Sequence, residues 1–481
     1  MCVAGTAATS VALAVVTALA LSCGGTNEPA PSVPRVDFID GAIEPILHAG
    51  QAVVIEGFGF GDAPGTVTFP RVGGGQVGAT VADSSWSDQS IRTVVPDSAA
   101  SGTVTVNSSR GLRLPATAHV LPVATFDPTT LVWTQHAEPF PRSPVGVALA
   151  AATIPTNGLT VTLFAAGGAE PVGGDSAFIT DSAVFSAAVQ PGGGVGAWAR
   201  QPDLPVPRAF AAAAVANRYN SRFAGSALYL VGGIGPTGRA QSGVYGAAVS
   251  GGSVVALFEA LQSLPAPVAG AIAVVRRGRI YVFGGADSLG HPQRTVYVGR
   301  IAADGQIDGW YAEPQLAAPR AYGGGVVLDT RAVVFGGLRD SAPPGGGLDS
   351  MPARLATADT AAVSIVSGFL TGVWAPATPA LPNGRSQFAT LDLGDLVMLV
   401  GGRYAGDTAG TAETLAAAVG GDSLAPFATV SGVTAISANG GPILVGPAGS
   451  AWRDADGTGH GLVLGGFNLR NRQRTAGVWG F

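Results

Sequence analysis

The stretch IYVFGG at residues 280–285 decides the fold: it is a short apolar run that ends in two adjacent glycines. Five further stretches share this pattern: LFAAGG (163–168), LYLVGG (228–233), AVVFGG (332–337), VMLVGG (397–402) and LVLGG (462–466). Recurrence of one short unit along the chain indicates a repeat architecture. Because glycine lacks a Cβ, each Gly pair predicts a strand end that lies unusually close to its neighbour.

Two more features recur at fixed offsets in four of these units. A residue on the following strand is matched by an aromatic residue 13 positions later: Phe185 and Trp198, Tyr245 and Phe258, Tyr297 and Trp310, Ala361 and Trp374. A residue pair that resembles Pro-Arg ends ten or eleven residues after the aromatic residue, and we call this pair the step. The four steps are Pro207-Arg208, Pro267-Val268, Pro319-Arg320 and Gly384-Arg385. The pattern resembles the kelch repeat over residues 124–481, which implies one four-stranded propeller blade per unit.

The two ends of this region predict how the ring of blades closes. The last unit has its Gly pair and Trp479, but the chain stops before a fourth strand. Conversely, Trp133 followed by Pro141-Arg142 has a fourth-strand signature with no unit before it. Since a single blade cannot bury both faces, the ring must close. We expect six blades, with the strand near Trp133 completing the last one.

Residues 34–122 predict a separate β-rich domain. Short alternating segments are separated by turn residues, which is typical of a β-sandwich. The segments are QAVVIE (51–56), GFGFG (57–61), TVTF (66–69), WSDQSI (86–91), VVP (94–96) and GTVTV (102–106). Their order resembles the IPT/TIG family of Ig-like domains, which implies a spacer or interaction module. The predicted fold class is therefore all-β, an Ig-like β-sandwich followed by a six-bladed kelch-type β-propeller.

The N-terminus predicts export. Residues 11–22 (VALAVVTALALS) form an apolar run too short to span a bilayer but suited to a signal peptide. The following Cys23 resembles the lipidated cysteine of a bacterial lipobox, so residues 1–22 are a predicted signal peptide and residues 23–33 a tether. The membrane is then contacted through a lipid anchor only, at the outer membrane or cell surface. The alternative is plain secretion with cleavage nearby.

Composition excludes several classes of function. The net charge of −5 gives no nucleic-acid footprint, and the chain contains no lysine for Schiff-base or P-loop chemistry. The only cysteines are Cys2 and Cys23, so the Tyr–Cys cofactor of copper radical oxidases, some of which are kelch-type propellers, cannot form in the body of the chain. The Gly-rich stretch 233–238 lacks a following helix, which argues against dinucleotide binding. We expect no catalytic residues, no cofactor and no metal site.

Basic residues supply the candidate binding site. Arg142, Arg208, Arg320 and Arg385 occupy equivalent steps, so repeat symmetry predicts that they share one rim of the ring. Arg339 and Arg403 follow Gly pairs and are expected on the same side. Guanidinium groups around a depression could capture carboxylates or acidic sugars. The alternative is that the repeated arginine braces loops through backbone carbonyls.

The sequence thus predicts a surface lipoprotein that binds a glycan, a peptide or a partner protein through one face of the propeller, rather than an enzyme. Two alternatives remain open. One is a propeller enzyme acting on sugars, similar to mutarotases or epimerases, for which Asp287, Asp340 and Asp407 after Gly pairs are candidates. The other is a purely structural envelope component. The sequence does not identify the ligand.

Overall fold

A computed structural model of the protein describes residues 33–122, 127–155, 159–172, 177–217, 226–250, 253–254, 258–302, 304–339, 358–363, 368–377, 380–404, 410–430, 445–468 and 473–481. The signal peptide, Cys23 and nearly all of the tether lie outside these residues. Regular structure within them consists of strands and two short 3-10 turns, Asp83–Ser85 and Pro128–Thr130. In the described part of the chain, no helix is long and apolar enough to cross a membrane. The predicted all-β class is confirmed.

The N-terminal domain consists of two sheets around one hydrophobic core. The three-stranded sheet has the order Arg35–Ile39, Ala52–Phe58, Ser90–Val94. The five-stranded sheet has the order Ile46–His48, Arg113–Leu121, Gly102–Asn107, Thr66–Pro70, Gln76–Gly78. Both sheets contribute alternate apolar residues to one buried cluster, including Val53, Ile55, Val67 and Val104. The strands agree with the all-β content that the alternating segments predict, and the Ig-like sandwich stays a prediction.

The GFGFG turn of this domain is fixed by the segment that begins at Trp86. The Trp86 indole N–H donates to the carbonyl of Gly61 at 2.9 Å, and the Gly61 N–H donates to Asp88 Oδ1 at 2.9 Å. The Phe60 ring is buried and meets the Trp86 ring edge-on at 6.4 Å. The two sequence motifs therefore form one local unit, because each satisfies the polar groups of the other.

The described residues between 134 and 480 form six further sheets of four or five strands, all of them antiparallel. Sheet 1 has the strand order Ala148–Pro155, Leu159–Ala166, Val184–Ala188, Ala199–Gln201. Sheet 2 has the order Ala212–Ala216, Ser226–Val231, Val244–Ser250, and both Ser253–Val254 and Glu259–Ala260 pair with its third strand. Sheet 3 has the order Ile272–Arg276, Arg279–Phe283, Val296–Ile301, Ile307–Ala312. In all three sheets a Gly pair directly follows the second strand.

Sheets 4 to 6 repeat this order. Sheet 4 has the order Gly324–Val327, Arg331–Phe335, Ala358–Val363, Leu370–Ala377. Sheet 5 has the order Ala389–Asp392, Leu396–Val400, Thr414–Gly420, and both Ser423–Leu424 and Ala428–Thr429 pair with its third strand. Sheet 6 has the order Ala448–Arg453, Gly459–Leu464, Val478–Gly480, Thr134–Gln135. Three short two-stranded pairs accompany these sheets within the described residues: Ala169–Val172 with Ala177–Thr180, Arg385–Ser386 with Arg403–Tyr404, and Phe467–Asn468 with Gln473–Arg474.

The first strands of the six sheets contact one another in a closed cycle. Each first strand packs against that of the next sheet, and the first strand of sheet 6 packs against that of sheet 1. Six buried apolar clusters fill the spaces between neighbouring sheets. We call this assembly the ring. Every sheet buries both faces against a neighbour, which no isolated four-stranded sheet could do.

The expected N-terminal strand completes sheet 6. Gln135 pairs with Trp479 and Thr134 with Gly480, 346 residues away in the chain. Next to this strand the Trp133 indole is buried between sheets 5 and 6 and meets the Phe481 ring edge-on at 5.0 Å. The last sheet is therefore made from both ends of the region, as its missing fourth strand predicts.

The Gly pairs have a direct steric explanation. The first glycine of each pair that follows a second strand has a left-handed backbone, with φ of 63° at Gly232 and 59° at Gly284. A Cβ at Gly284 would lie 2.2 Å from the carbonyl oxygen of Arg320, and one at Gly232 would lie 2.3 Å from that of Val268. The backbone carbonyl of the next unit's step thus lies where the Cβ of a side chain would be, so only glycine fits.

Candidate functional site

The step arginines meet the Gly pairs at one end of the ring, which we call the Gly-pair end. Arg208 is 3% exposed and donates from Nη1 to the carbonyl of Gly232 at 2.7 Å and from Nη2 to the Tyr245 hydroxyl at 3.1 Å. Arg320 is 1% exposed and donates from Nη1 to the carbonyl of Gly336. In both cases the guanidinium bonds to the carbonyl of the first glycine in the Gly pair that follows the arginine in sequence.

Arg385 is also buried, with an ionic partner in addition. Its guanidinium donates to the carbonyl of Glu413 at 3.1 Å, to the Tyr404 hydroxyl at 2.6 Å and to the Glu413 carboxylate. Arg142 is 36% exposed and forms an ion pair with Asp181 at 2.5 Å. Arg208, Arg320 and Arg385 therefore occupy equivalent positions, as the repeat predicts, whereas Pro144 takes this position in the first unit and Arg142 lies two residues before it. Each of the four arginines already has a partner within the ring.

The two other candidate arginines differ from each other. Arg339 is exposed, whereas Arg403 is 7% exposed and pairs through its backbone with Ser386. A guanidinium that captures a ligand must present unpaired N–H groups to solvent. Among the six arginines, Arg339 is exposed, the Arg142 side chain is 36% exposed, and the other four are buried. The geometry consequently favours the bracing alternative for Arg208, Arg320 and Arg385, in place of the expected open rim.

The axis of the ring at this end is occupied by a circle of left-handed residues, two positions beyond each step. They are Gly146, Phe210, Gly270, Tyr322, Gln387 and Gly446, and successive members are joined by backbone N–H to carbonyl hydrogen bonds of 2.7–2.9 Å. The Phe210 and Tyr322 rings meet edge-on at 5.4 Å and pack with a small apolar cluster. Burial raises the pKa of Tyr322 to about 12. Two aromatic rings therefore pack at the axis here, and the circle also includes the buried Gln387, whose Nε2 and Oε1 have no partner within the described residues.

A cavity of about 560 Å³ lies at the opposite end, where first and second strands are joined by hairpins. We call this the hairpin end. All six sheets contribute to its wall, through residues such as Thr153, Ala216, Arg276, Val327, Asp392 and Trp452. The remaining wall comes from residues 40–42, 45–52 and Leu121 of the N-terminal domain. Cavities of this volume are typical of small-molecule sites.

The N-terminal domain is held against the hairpin end by buried ion pairs. The Arg277 Nε donates to Asp40 Oδ1 at 2.6 Å, and the same guanidinium also bonds to Asp329 and to the carbonyl of Ala52. Arg92 of the N-terminal domain forms a second ion pair with Asp329. The domain and the ring belong to one compact unit, Pro34–Phe481. The N-terminal domain thus packs directly against the ring, and its role as a spacer or interaction module stays a prediction.

The backbones of the N-terminal domain and the ring also approach each other closely at this contact. A Cβ at Gly41 would lie 2.2 Å from the carbonyl carbon of Arg277. Asp40 and Arg277 both adopt left-handed backbone conformations, with φ of 50° and 47°. Such conformations cost about 1–3 kcal/mol each in residues other than glycine and persist only where their surroundings impose them. The contact is therefore a specific one.

The polar side chains on the cavity wall are mostly engaged with one another. Arg453 forms an ion pair with Asp395 and donates to the carbonyls of Leu393 at 3.1 Å and Gly457 at 2.6 Å. Arg276 lies 3.5 Å from Asp40. These interactions satisfy groups that desolvation would otherwise penalise.

Asp392 stands apart from these pairs. Its Oδ1 accepts the Gly394 N–H at 2.8 Å, and within the described residues no cation lies within ion-pair distance of it. Its side chain keeps accessible surface, yet protein atoms surround it, so that surface faces the cavity. Burial raises the pKa of Asp392, an effect that Arg276 and the Gly394 N–H oppose.

His48 lies on the facing wall of the cavity. Its Cδ2 is 3.9 Å from the position of a Cβ on Gly394, in the turn that follows Asp392. Burial, with Arg453 adding to it, lowers the pKa of His48 to about 4. The imidazole is therefore neutral at physiological pH, and its buried Nδ1 has no partner within the described residues. Neither His48 nor Asp392 belongs to the repeat pattern, so sequence reasoning missed both.

Other sequence candidates have structural roles. Asp287 accepts the N–H groups of Leu289 and His291 in a turn, while Asp340 and Asp407 lie outside the described residues. Asp454 and Asp456, which resemble the start of a calcium loop, lie in the hairpin of sheet 6, where Asp454 contacts His460 Nε2 at 3.0 Å. Across the described ranges, no three His, Cys, Asp or Glu side chains cluster as metal ligands.

Comparison of the chain with models of known protein families finds no match, and comparison with curated proteins finds no relative.

Proposed function

We propose that this protein is an exported, lipid-anchored binding protein whose ligand site is the cavity at the hairpin end. In this proposal the ring is a six-bladed kelch-type β-propeller, and residues 34–122 are an Ig-like sandwich of the IPT/TIG type. The six sheets in cyclic contact and the shared strand of sheet 6 support the first part. The two sheets around one core support the second.

One observation carries the proposed function: the N-terminal domain and all six sheets converge on a single cavity, and a carboxylate without an ion-pair partner faces into it. A carboxylate that lines a concave cavity without an ion-pair partner is a candidate for recognition of a ligand. The Gly-pair end offers less, because Arg208, Arg320 and Arg385 are engaged and the Phe210 and Tyr322 rings pack at its axis. Binding of a glycan, a peptide or a partner protein at that end stays a hypothesis.

A ligand screen tests the proposal. The mature protein is heated with sugars, amino acids, amines and organic acids, and ligands are identified by an increase in Tm. Hits are then measured on Ala151→Phe, which fills the cavity wall, and on Ala199→Phe, which adds the same ring on the exposed outer strand of sheet 1. We expect Ala151→Phe to abolish binding and Ala199→Phe to preserve it. A hit that binds both variants equally contradicts the proposal, as does the absence of any hit.

Envelope attachment is tested separately. Cells expressing the wild type or Cys23→Ser are labelled with a fatty-acid analogue. Label on the wild type alone supports lipidation of Cys23, and equal label on both excludes it. Recovery of unlabelled wild-type protein in the medium supports the alternative of plain secretion.

A further inference from the structure

The acidic side chains of the cavity fall into two groups. Asp40 and Asp329 are paired with Arg277, and Asp395 is paired with Arg453. Asp392 is the fourth carboxylate on the wall, and in the part of the chain that the structure describes it has no such pair. The arginines of the wall are already committed to the first group. The protein therefore leaves one carboxylate whose charge it does not neutralise.

A carboxylate in this position favours one kind of ligand. Asp392 is exposed on the cavity wall, and the Gly394 N–H bonds one of its oxygens, so the carboxylate can still accept hydrogen bonds from a ligand. A cationic group on a ligand would use this capacity best, since hydrogen bonds between charged partners are the strong ones. A neutral polyol would leave the charge unpaired, and an anion would meet it with like charge.

Arg276 is the cation that acts on Asp392 within the described residues, but it lies 3.5 Å from Asp40 and not within ion-pair distance of Asp392. His48 on the facing wall is neutral at physiological pH. Ala151, Val215 and Val275 on the cavity wall are only partly buried. A short aliphatic chain would pack against the apolar surface that they expose.

We infer that the cavity binds a small organic cation, a primary amine or guanidine on a short aliphatic chain, whose charged group pairs with Asp392. This inference rests on the proposed function, because it requires the cavity to be the ligand site. It adds the chemical class of the ligand and the residue that selects it.

The test uses the mature protein with putrescine and agmatine as probes. Neutral 1,4-butanediol and sodium chloride at matched ionic strength are the controls for chain and charge. Binding is measured by calorimetry on the wild type, on Asp392→Asn and on Asp308→Asn, which removes an exposed carboxylate from the outer strand of sheet 3. We expect at least one amine to bind the wild type, Asp392→Asn to weaken it tenfold or more, and Asp308→Asn to leave it unchanged.

The outcomes separate the two claims. Amine binding that is equal in wild type and Asp392→Asn overturns the inference, and so does an absence of amine binding. If a sugar or an organic acid binds instead and is lost in Ala151→Phe, the cavity remains the ligand site and only the ligand class is wrong. If no ligand depends on Ala151, the proposed function fails as well.

Discussion

Asp40 and Arg277 lie 237 residues apart in the chain, yet both have left-handed backbones and their side chains form a buried ion pair at 2.6 Å. The pair joins the N-terminal domain to the ring beside the cavity. Removing one partner of a buried pair leaves an uncompensated charge, which typically costs about 3–5 kcal/mol. The N-terminal domain is thus one wall of the proposed site.

Arg277→Ala should lower the free energy of unfolding by about 3–5 kcal/mol, because Asp40 and Asp329 both lose this partner. The matched control is Arg35→Ala, which removes an exposed ion pair with Asp37 and should cost less than about 1 kcal/mol. Denaturant unfolding of both variants provides the measurement. Equal stability of the two variants would show that the domain is not held by this pair.

Bracing by the step arginines predicts a loss of stability rather than of binding. Arg320→Ala leaves the buried carbonyl of Gly336 without its donor and should cost roughly 1–3 kcal/mol. Arg339→Ala, at the same end but exposed, should change stability by less than about 0.5 kcal/mol. Melting temperature and ligand affinity are measured on both variants. Intact stability of Arg320→Ala with lost binding would restore the rim hypothesis.

Closure of the ring predicts a sharp contrast between adjacent residues. Trp133→Ala removes a buried indole between sheets 5 and 6 and should cost roughly 3–5 kcal/mol. Val132→Ala, one residue earlier and 59% exposed, should be nearly neutral. Thermal unfolding distinguishes them. Similar melting temperatures would mean that the strand Thr134–Gln135 does not close sheet 6.

The neutral state of His48 makes stability depend on pH. Its pKa is about 4 in the folded protein and near 6.5 when unfolded, so between these values only the unfolded chain takes up the proton. Stability should therefore fall as pH drops from about 6.5 to 4. His48→Gln should lose less over this range, whereas His291→Gln, at an exposed position, should behave as the wild type. Parallel pH profiles of the wild type and His48→Gln would contradict this assignment.

Local and repeated features of the molecule could be predicted from the sequence. The Gly pairs are required because a backbone carbonyl passes close to each of them. The segment at Trp133, which has no unit before it in sequence, leads into the strand that completes the last sheet. The repeat also places Arg208 and Arg320 correctly. The repeat does not show that these two arginines are buried, because periodicity gives the position of a side chain and not its partners.

The cavity could not be predicted, since its wall is assembled from distant parts of the chain. Asp392 and His48 come from different domains, and neither occupies a repeated position. The N-terminal domain resembles a spacer in sequence because its own core is self-sufficient. Its contact with the ring is visible in the structure, in the fit of Asp40 and Gly41 onto Arg277 and in the ion pair of Arg92 with Asp329.

The most direct test is a crystal structure of the mature protein soaked with agmatine, whose planar guanidinium identifies its orientation in the density. The account predicts agmatine in the cavity at the hairpin end, with a guanidinium or ammonium nitrogen at about 3 Å from Asp392. Agmatine bound only at the Gly-pair end, or an unchanged cavity at saturating concentration, would contradict it.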